Sequence, residues 1–353
     1  MGAEWRILAF ETKKAASLGF HTMLPIEWGA SLGEAMSATN LGQPTVDIFA
    51  ATIAAAVGSW HLVGAGDKDA VDGAAVDAMR ASLRTAEFGG IVVIGEGEKD
   101  AAPMLFNGEM IGQGRPLEWD IAVDPIDGTK LAAEGVPGAV SVMAAATRGG
   151  MMAAPEVYYM QKIVSGPAAR DLLDLDYSPE KNMQLLADAL GKPVGLLNVA
   201  VIDKNRNKDL IERVQAFGAN WVRFAEGDVA MAVAAAVGDV GVDMLMGIGG
   251  NPEGVVTACA VQALGGFMQG RLMPLNPDEL TRALDAGHDI EKKFELDELA
   301  SGERFIFVLT GITDGLLAKG IVDQGDAMLL QSLVLDSEFG EARLLEVRIP
   351  RVG

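Results

Sequence analysis

The chain has 353 residues, half of them hydrophobic, and a formal net charge of -21 at pH 7. That length supports a large buried core and two subdomains, and the charge argues against nucleic acid, because no Lys/Arg cluster offers a phosphate-backbone footprint. The single cysteine, Cys259, excludes an intrachain disulfide and fits a reducing cytoplasm.

Residues 1–43 read as a loosely ordered N-terminal extension. They mix Lys13 and Lys14 with Glu4, Glu11 and Glu27, lack the apolar core of a secretory signal, and offer Met36 as an alternative start. Gly29-Ala-Ser31-Leu-Gly33 has nucleophile-elbow spacing, but Pro25 and Glu27 interrupt the strand that would strain the serine, so no serine nucleophile is expected. Ile48 to Gly66 reads as a buried or amphipathic helix rather than a membrane span, since Leu, Ile and Phe are too sparse to drive insertion.

Four acidic clusters follow. Gly66-Asp67-Lys68-Asp69-Ala70-Val71-Asp72-Gly73 leads into Ala75, Val76, Met79 and Leu83 at helical spacing. The apolar run Ile91 to Ile94 discharges into Gly95-Glu96-Gly97-Glu98-Lys99-Asp100. In Asp120-Ile-Ala-Val-Asp124-Pro-Ile-Asp127-Gly-Thr129 a short buried strand, Ile121 to Val123, ends in two carboxylates and a hydroxyl. Pro125 should stop its ladder, and Gly128 should let the backbone approach a ligand. Val242 to Met246 reads as a strand before Gly247-Ile-Gly-Gly-Asn-Pro252-Glu253, where the proline suits a first helical position.

Taken singly, Asp72 reads as an N-cap, Glu253 as a first-turn acid, and Asp124 with Asp127 as an Asx-type turn. Together they point to a divalent cation, since like charges in one place repel unless a cation or proton joins them. Hard oxygen donors suit Mg2+ or Mn2+. Zinc has no ligand set, because Cys259 lies in an apolar helical run and His21, His61 and His288 lack ligand spacing. Dinucleotide and phosphate-loop fingerprints also fail: Pro252 stands where a glycine is needed, and no Gly-Lys-Ser/Thr occurs.

From about Val194 the chain alternates. Leu196 to Ile202, Trp221 to Ala225 and Val242 to Met246 read as strands; Lys208 to Phe217, Val229 to Val237 and Gly254 to Leu264 read as the helices that follow them. The loops after the three strands should share one rim. They carry Asp203-Lys204-Asn205-Arg206, Glu226-Gly227-Asp228 and Gly249-Gly250-Asn251-Pro252-Glu253. A phosphorylated sugar needs such a set: cations for phosphate, carboxylates for hydroxyls, and N–H groups at a helix start for an anion. The bland alternative makes Lys204 and Arg206 a solvated helix start.

These residues resemble the class II fructose-1,6-bisphosphatases, including the cyanobacterial type that also acts on sedoheptulose-1,7-bisphosphate. The wider relatives are the lithium-sensitive phosphatases such as inositol monophosphatase. The resemblance runs from about Val46 almost to the C-terminus. It rests on the stretches 66–76, 94–105, 120–129 and 247–256, and on Thr310-Gly-Ile-Thr-Asp-Gly315.

The resemblance implies a layered α/β sugar-phosphatase fold of alternating helix and sheet layers in two subdomains. Residues 44–190 would form the metal-binding phosphatase subdomain, and 191–353 the sugar-phosphate-binding one. It also implies metal ligands at Asp72, Glu96, Asp124, Asp127 and Glu253, with Mg2+ or Mn2+ as cofactor. Asp100 resembles the family's essential acid, Glu98 stands beside it as a catalytic candidate, and Thr129 resembles the hydroxyl that orients the attacking water. Substrate contacts carried over are Asp127, Gly128, Thr129, Tyr159, Lys204, Asn205, Arg206, Glu226, Gly227, Asp228 and Gly250, with Tyr158 as the alternative to Tyr159.

The implied reaction is hydrolysis of the C1 phosphate of fructose-1,6-bisphosphate by direct attack of water. A homo-oligomer, dimer or tetramer, in the cytoplasm is implied too, with no nucleic acid or membrane partner. An inositol-type monophosphatase and a non-catalytic sugar-phosphate binder are the competing readings. The chain departs from the family's usual glutamate at Asp127, proline at Asn205, histidine at Asn207 and aspartate at Glu226. Loss of the histidine is expected to remove a contact to the distal phosphate.

Overall fold

Along the strand Val140–Thr147 successive side chains leave opposite faces. Val142, Ala144 and Ala146 enter one apolar cluster, while Met143 and Ala145 enter another. Asn198–Ile202 divides in the same way, with Ala200 and Ile202 on one side and Val199 and Val201 on the other. Strands buried on both faces belong to sheets covered on both sides. The computed structural model describes residues 23–27, 41–96, 98–99, 102–103 and 105–350, and there the clusters stack into five alternating layers.

The helices Gln43–Ser59 and Lys68–Leu83 cover the outer face of a first sheet. Asp228–Val237 and Asn251–Leu264 lie between the two sheets, and Pro179–Leu190 with Lys208–Phe217 covers the outer face of the second. The middle pair must present apolar surface all round, and residues 254–261 are accordingly all buried. Lys208–Phe217 buries only Ile211 and Val214, as an outer helix should. The stretch Gln43–Leu62 is long and apolar enough to cross a membrane, but Ile48, Phe49 and Ile53 are spent on the first sheet, as expected of a buried helix.

In spatial order the first sheet runs Met23–Glu27, Glu341–Pro350, Ala327–Asp336, Phe305–Gly311, Val140–Thr147, Trp119–Asp127, Gly90–Ile94 and Met110–Ile111. The second runs Asn220–Phe224, Asn198–Ile202, Met244–Gly250, Tyr159–Ser165, Phe267–Leu272 and Phe294–Glu295. Sheet membership follows a different division from the expected break between residues 190 and 191. Tyr159–Ser165 belongs to the second sheet, and the strands after residue 305 return to the first.

Two further differences concern local structure. Within the expected extension, Met23–Glu27 pairs in parallel with Glu341–Pro350; Ser31 and Met36 lie outside the described residues. Pro125 does not end its strand: Trp119–Asp127 runs on through a register irregularity between Asp124 and Asp127, where a proline needs no ladder N–H.

Candidate active site

Asn198–Ile202 is flanked in parallel by Asn220–Phe224 and Met244–Gly250, so the loops that leave their carboxyl ends share one rim. In the first sheet Gly90–Ile94 runs parallel to Trp119–Asp127, which delivers Glu96 and the Asp124–Asp127 bulge to a common end. The two rims face each other across a cleft of about 580 Å3. Its walls bring together Asp72, Glu96, Asp124, Asp127 and Glu253 with Gly128, Thr129, Tyr158, Tyr159, Lys204, Arg206, Glu226, Gly227, Asp228 and Gly250. Asn205 is exposed and is not part of the lining. Asp100 lies outside the described residues, and Glu98 is placed only by its backbone, in the two-residue strand Glu98–Lys99.

Each acid arrives by its own local device. Asp67 rather than Asp72 caps Lys68–Leu83, accepting from Ala70 N at 3.0 Å. Asp72 is thereby free of the capping role and sits inside the helix, buried, at the cleft. Gly128 adopts φ 90°, a left-handed conformation that suits glycine; it turns the chain so that Thr129 opens the helix Thr129–Glu134. Thr129 Oγ1 donates to Ile126 O at 3.1 Å, which leaves its lone pairs as acceptors. Asp127 Oδ2 accepts from Val229 N at 3.1 Å and Ala230 N at 3.2 Å. A carboxylate from the first sheet thus closes the N-terminus of a helix in the middle layer, where donors and dipole favour negative charge. Glu226 Oε2 accepts from Lys130 N at 3.1 Å and binds the two rims together a second time.

Glycine 250 makes room for an acid. A Cβ there would lie 1.6 Å from Glu253 Oε2, so any side chain would displace that carboxylate. Glu253 Oε2 is itself buried and lacks a hydrogen-bond partner, a state that is costly for a carboxylate oxygen.

The electrostatics follow from this crowding. Burial, then the charges of Asp127, Glu96, Glu253 and Asp72, hold the Asp124 carboxyl well above its ordinary range. Burial, then Asp228 and Glu253, raises Asp127 to about 7 against the pull of its two N–H donors. Glu253 is raised by burial, with Lys162 and Arg206 opposing. Among the described residues no three His, Cys, Asp or Glu side chains form a closed ligand cage. The orphaned Glu253 oxygen and the mutually repelling acids nevertheless fit a site for hard divalent cations.

The cationic side is built by Lys204 and Arg206. Arg206 Nε donates to Ile248 O at 2.8 Å and its guanidinium lies 4.6 Å from the centre of the Tyr159 ring. Tyr159 is therefore the tyrosine engaged with the cation, while Tyr158 is half-exposed at the rim. Lys204 has no side-chain partner among the described residues and can meet an anion directly. Asn207, which stands where the resemblance has a histidine, is buried and does not line the cleft. Its amide bonds the carbonyl of Ile248 at 3.0 Å and accepts from that residue's N–H at 2.8 Å, tying the Lys204 loop to the strand Met244–Gly250. The Thr310 to Gly315 motif does not line the cleft; Thr313 Oγ1 accepts from Ala139 N at 2.9 Å and braces the adjacent chain.

Sequence reading missed Lys162. Its side chain is fully buried, with Nζ 2.5 Å from Asp228 Oδ2. The usable signal was its place in Tyr159–Ser165: Met160, Lys162 and Val164 share one face by the period of two, and Met160 and Val164 are core residues.

Residues 43–348 match the family model described as bacterial fructose-1,6-bisphosphatase, glpX-encoded. The chain is also similar to two proteins named D-fructose 1,6-bisphosphatase class 2/sedoheptulose 1,7-bisphosphatase, from Prochlorococcus marinus strains AS9601 and MIT 9301. Each is 41% identical over 303 residues, covering 82% of this chain and 91% of the relative.

Proposed function

The chain belongs to the glpX-encoded bacterial fructose-1,6-bisphosphatases, and we propose that the cleft between its two sheets is where it carries out their reaction. It is a phosphoric monoester hydrolase of a metal-dependent family. The observation that carries the site assignment is the meeting of five carboxylates with Lys204 and Arg206 in one cleft. The carboxylates would face the C1 phosphate and the two cations the distal one, giving fructose 6-phosphate and phosphate.

Asp72, Glu96, Asp124, Asp127 and Glu253 would hold Mg2+ or Mn2+, the cations suited to an all-oxygen donor set. Such ions supply positive charge to the phosphoryl oxygens and acidify the attacking water. Thr129, with its proton committed to Ile126 O, accepts a hydrogen bond from that water and orients it. Lys204 and Arg206 draw the anionic substrate in against the net charge of -21, and Tyr159 limits the guanidinium's freedom before substrate arrives. Glu226 and Asp228 accept from sugar hydroxyls. Sedoheptulose-1,7-bisphosphate is a second substrate on this reading, which the names of the Prochlorococcus relatives support. A homo-oligomer in the cytoplasm is the accompanying expectation.

The test compares phosphate release from fructose-1,6-bisphosphate, sedoheptulose-1,7-bisphosphate and inositol 1-phosphate, with the sugar product identified. The bisphosphates should be hydrolysed faster, with fructose 6-phosphate as the hexose product. Preference for inositol 1-phosphate would move the assignment to the monophosphatases and remove the phosphate-binding role of Lys204 and Arg206.

A further inference from the structure

An ammonium group taken out of water is tolerated only where it is paired and hydrogen-bonded. Among the described residues Lys162 meets that condition with two hydrogen-bond acceptors, Asp228 Oδ2 at 2.5 Å and Gly250 O at 3.2 Å, and its charge also acts on the buried Glu253 carboxylate. Both partners line the substrate cleft, yet they belong to different elements. Asp228 opens the helix Asp228–Val237, whereas Gly250 ends the strand Met244–Gly250 and precedes the helix that carries Glu253. The space is matched to the contact, for a Cβ on Gly249 would lie 2.1 Å from Asp228 Oδ2. Asp228 has no other ion-pair partner among the described residues, so its orientation depends on the lysine.

We propose, building on the bisphosphatase reading, that Lys162 is a positioning residue of this reaction. Its ammonium holds the Asp228 carboxylate in place for a sugar hydroxyl and clamps the start of the helix Asp228–Val237 to the strand end that leads to Glu253. Substrate binding therefore depends on a side chain that never touches substrate. With methionine at 162 the Asp228 carboxylate loses its partner and swings away from the hydroxyl, so ground-state and transition-state contacts weaken together. Such a loss appears in KM more than in kcat.

The experiment measures KM and kcat for fructose-1,6-bisphosphate in wild type, Lys162→Met, Asp228→Asn and the double variant, with thermal melts to confirm folding. The expected result is a rise in KM of about tenfold or more in Lys162→Met with a much smaller change in kcat, about the loss of one charge-assisted hydrogen bond. The double variant should match Asp228→Asn in KM, because the lysine reaches the sugar hydroxyl through that carboxylate. Lys162→Gln keeps an N–H donor and carries the same comparison if the methionine variant fails to fold. An unchanged KM, or a double variant whose loss is the product of the two single losses, overturns the role of Lys162. Wild type run in parallel separates the two levels: no phosphate release from wild type refutes the bisphosphatase reading itself, whereas an active wild type with an unaffected variant refutes only the positioning role.

Discussion

Replacing Asp127 by asparagine separates what the clustered acids do for catalysis from what they cost the fold. Asp127 is 4% exposed, and burial followed by the charges of Asp228 and Glu253 raises its carboxyl from 3.8 to about 7. At about 1.4 kcal/mol per pH unit, ionising it costs the metal-free protein about 4 kcal/mol. The direction follows from proton binding. Between pH 3.8 and about 7 the native state holds a proton that the unfolded state has released, so stability falls as pH rises through that window and levels off above it. Asparagine keeps an oxygen for the Val229 and Ala230 N–H groups but carries no charge. In EDTA, Asp127→Asn should match wild type near pH 4 and exceed it at pH 8 by up to about 4 kcal/mol in urea denaturation. With metal restored, its phosphate release should be lower than wild type by about two orders of magnitude. A wild type that loses no stability relative to the variant between those pH values would show that neither burial nor the neighbouring acids penalise the Asp127 carboxylate, and the reasoning would fail.

Arg206→Ala removes a guanidinium held by Tyr159 and Ile248, and should raise KM for the bisphosphate by about 10- to 100-fold, the worth of a charge-assisted phosphate contact; an unchanged KM in steady-state kinetics would place the distal phosphate elsewhere. Gly250→Ala forces a methyl into Glu253 Oε2 and should lower turnover by about two orders of magnitude. Gly73→Ala, with open space at its Cβ in a helix interior, should instead stabilise the protein by about 0.5–1 kcal/mol in denaturant titrations; near-normal turnover by Gly250→Ala, or destabilisation by Gly73→Ala, would contradict the packing described. Cys259 is buried in the middle layer, and burial followed by Asp120 pushes its thiol up to about 12. It should resist alkylation until the protein unfolds, and rapid labelling of native protein would show that the middle layer is open.

Much of the site was legible because three of the acidic clusters follow apolar runs that read as core strands, and the fourth, around Asp72, leads into an apolar helix face. Ile91 to Ile94 and Ile121 to Val123 are strand residues, with Val92, Ile94 and all of 121–123 buried, and the chemistry begins where their hydrophobicity stops. The three-strand alternation after Val194 was also readable, and with it the common rim. What escaped was long-range. Nothing local tells Phe305–Gly311 to pair with Val140–Thr147 rather than with the sheet nearer in sequence, which is why the expected subdomain break differs from the sheets. The bracing role of Asn207 was not legible either, because it depends on Ile248, a residue 41 positions away. Pro125 misled for a different reason: a proline ends a regular ladder, but a bulge leaves no donor to lose.

The central claim, that the carboxylate cleft is the metal-dependent catalytic centre, is met most directly by phosphate release from fructose-1,6-bisphosphate with Mg2+, Mn2+ or EDTA, in wild type and Asp124→Asn. The expected result is activity with a divalent cation, none in EDTA, and at least about a 100-fold loss in the variant at saturating metal. Equal rates in EDTA, or near-normal turnover by Asp124→Asn, would contradict it.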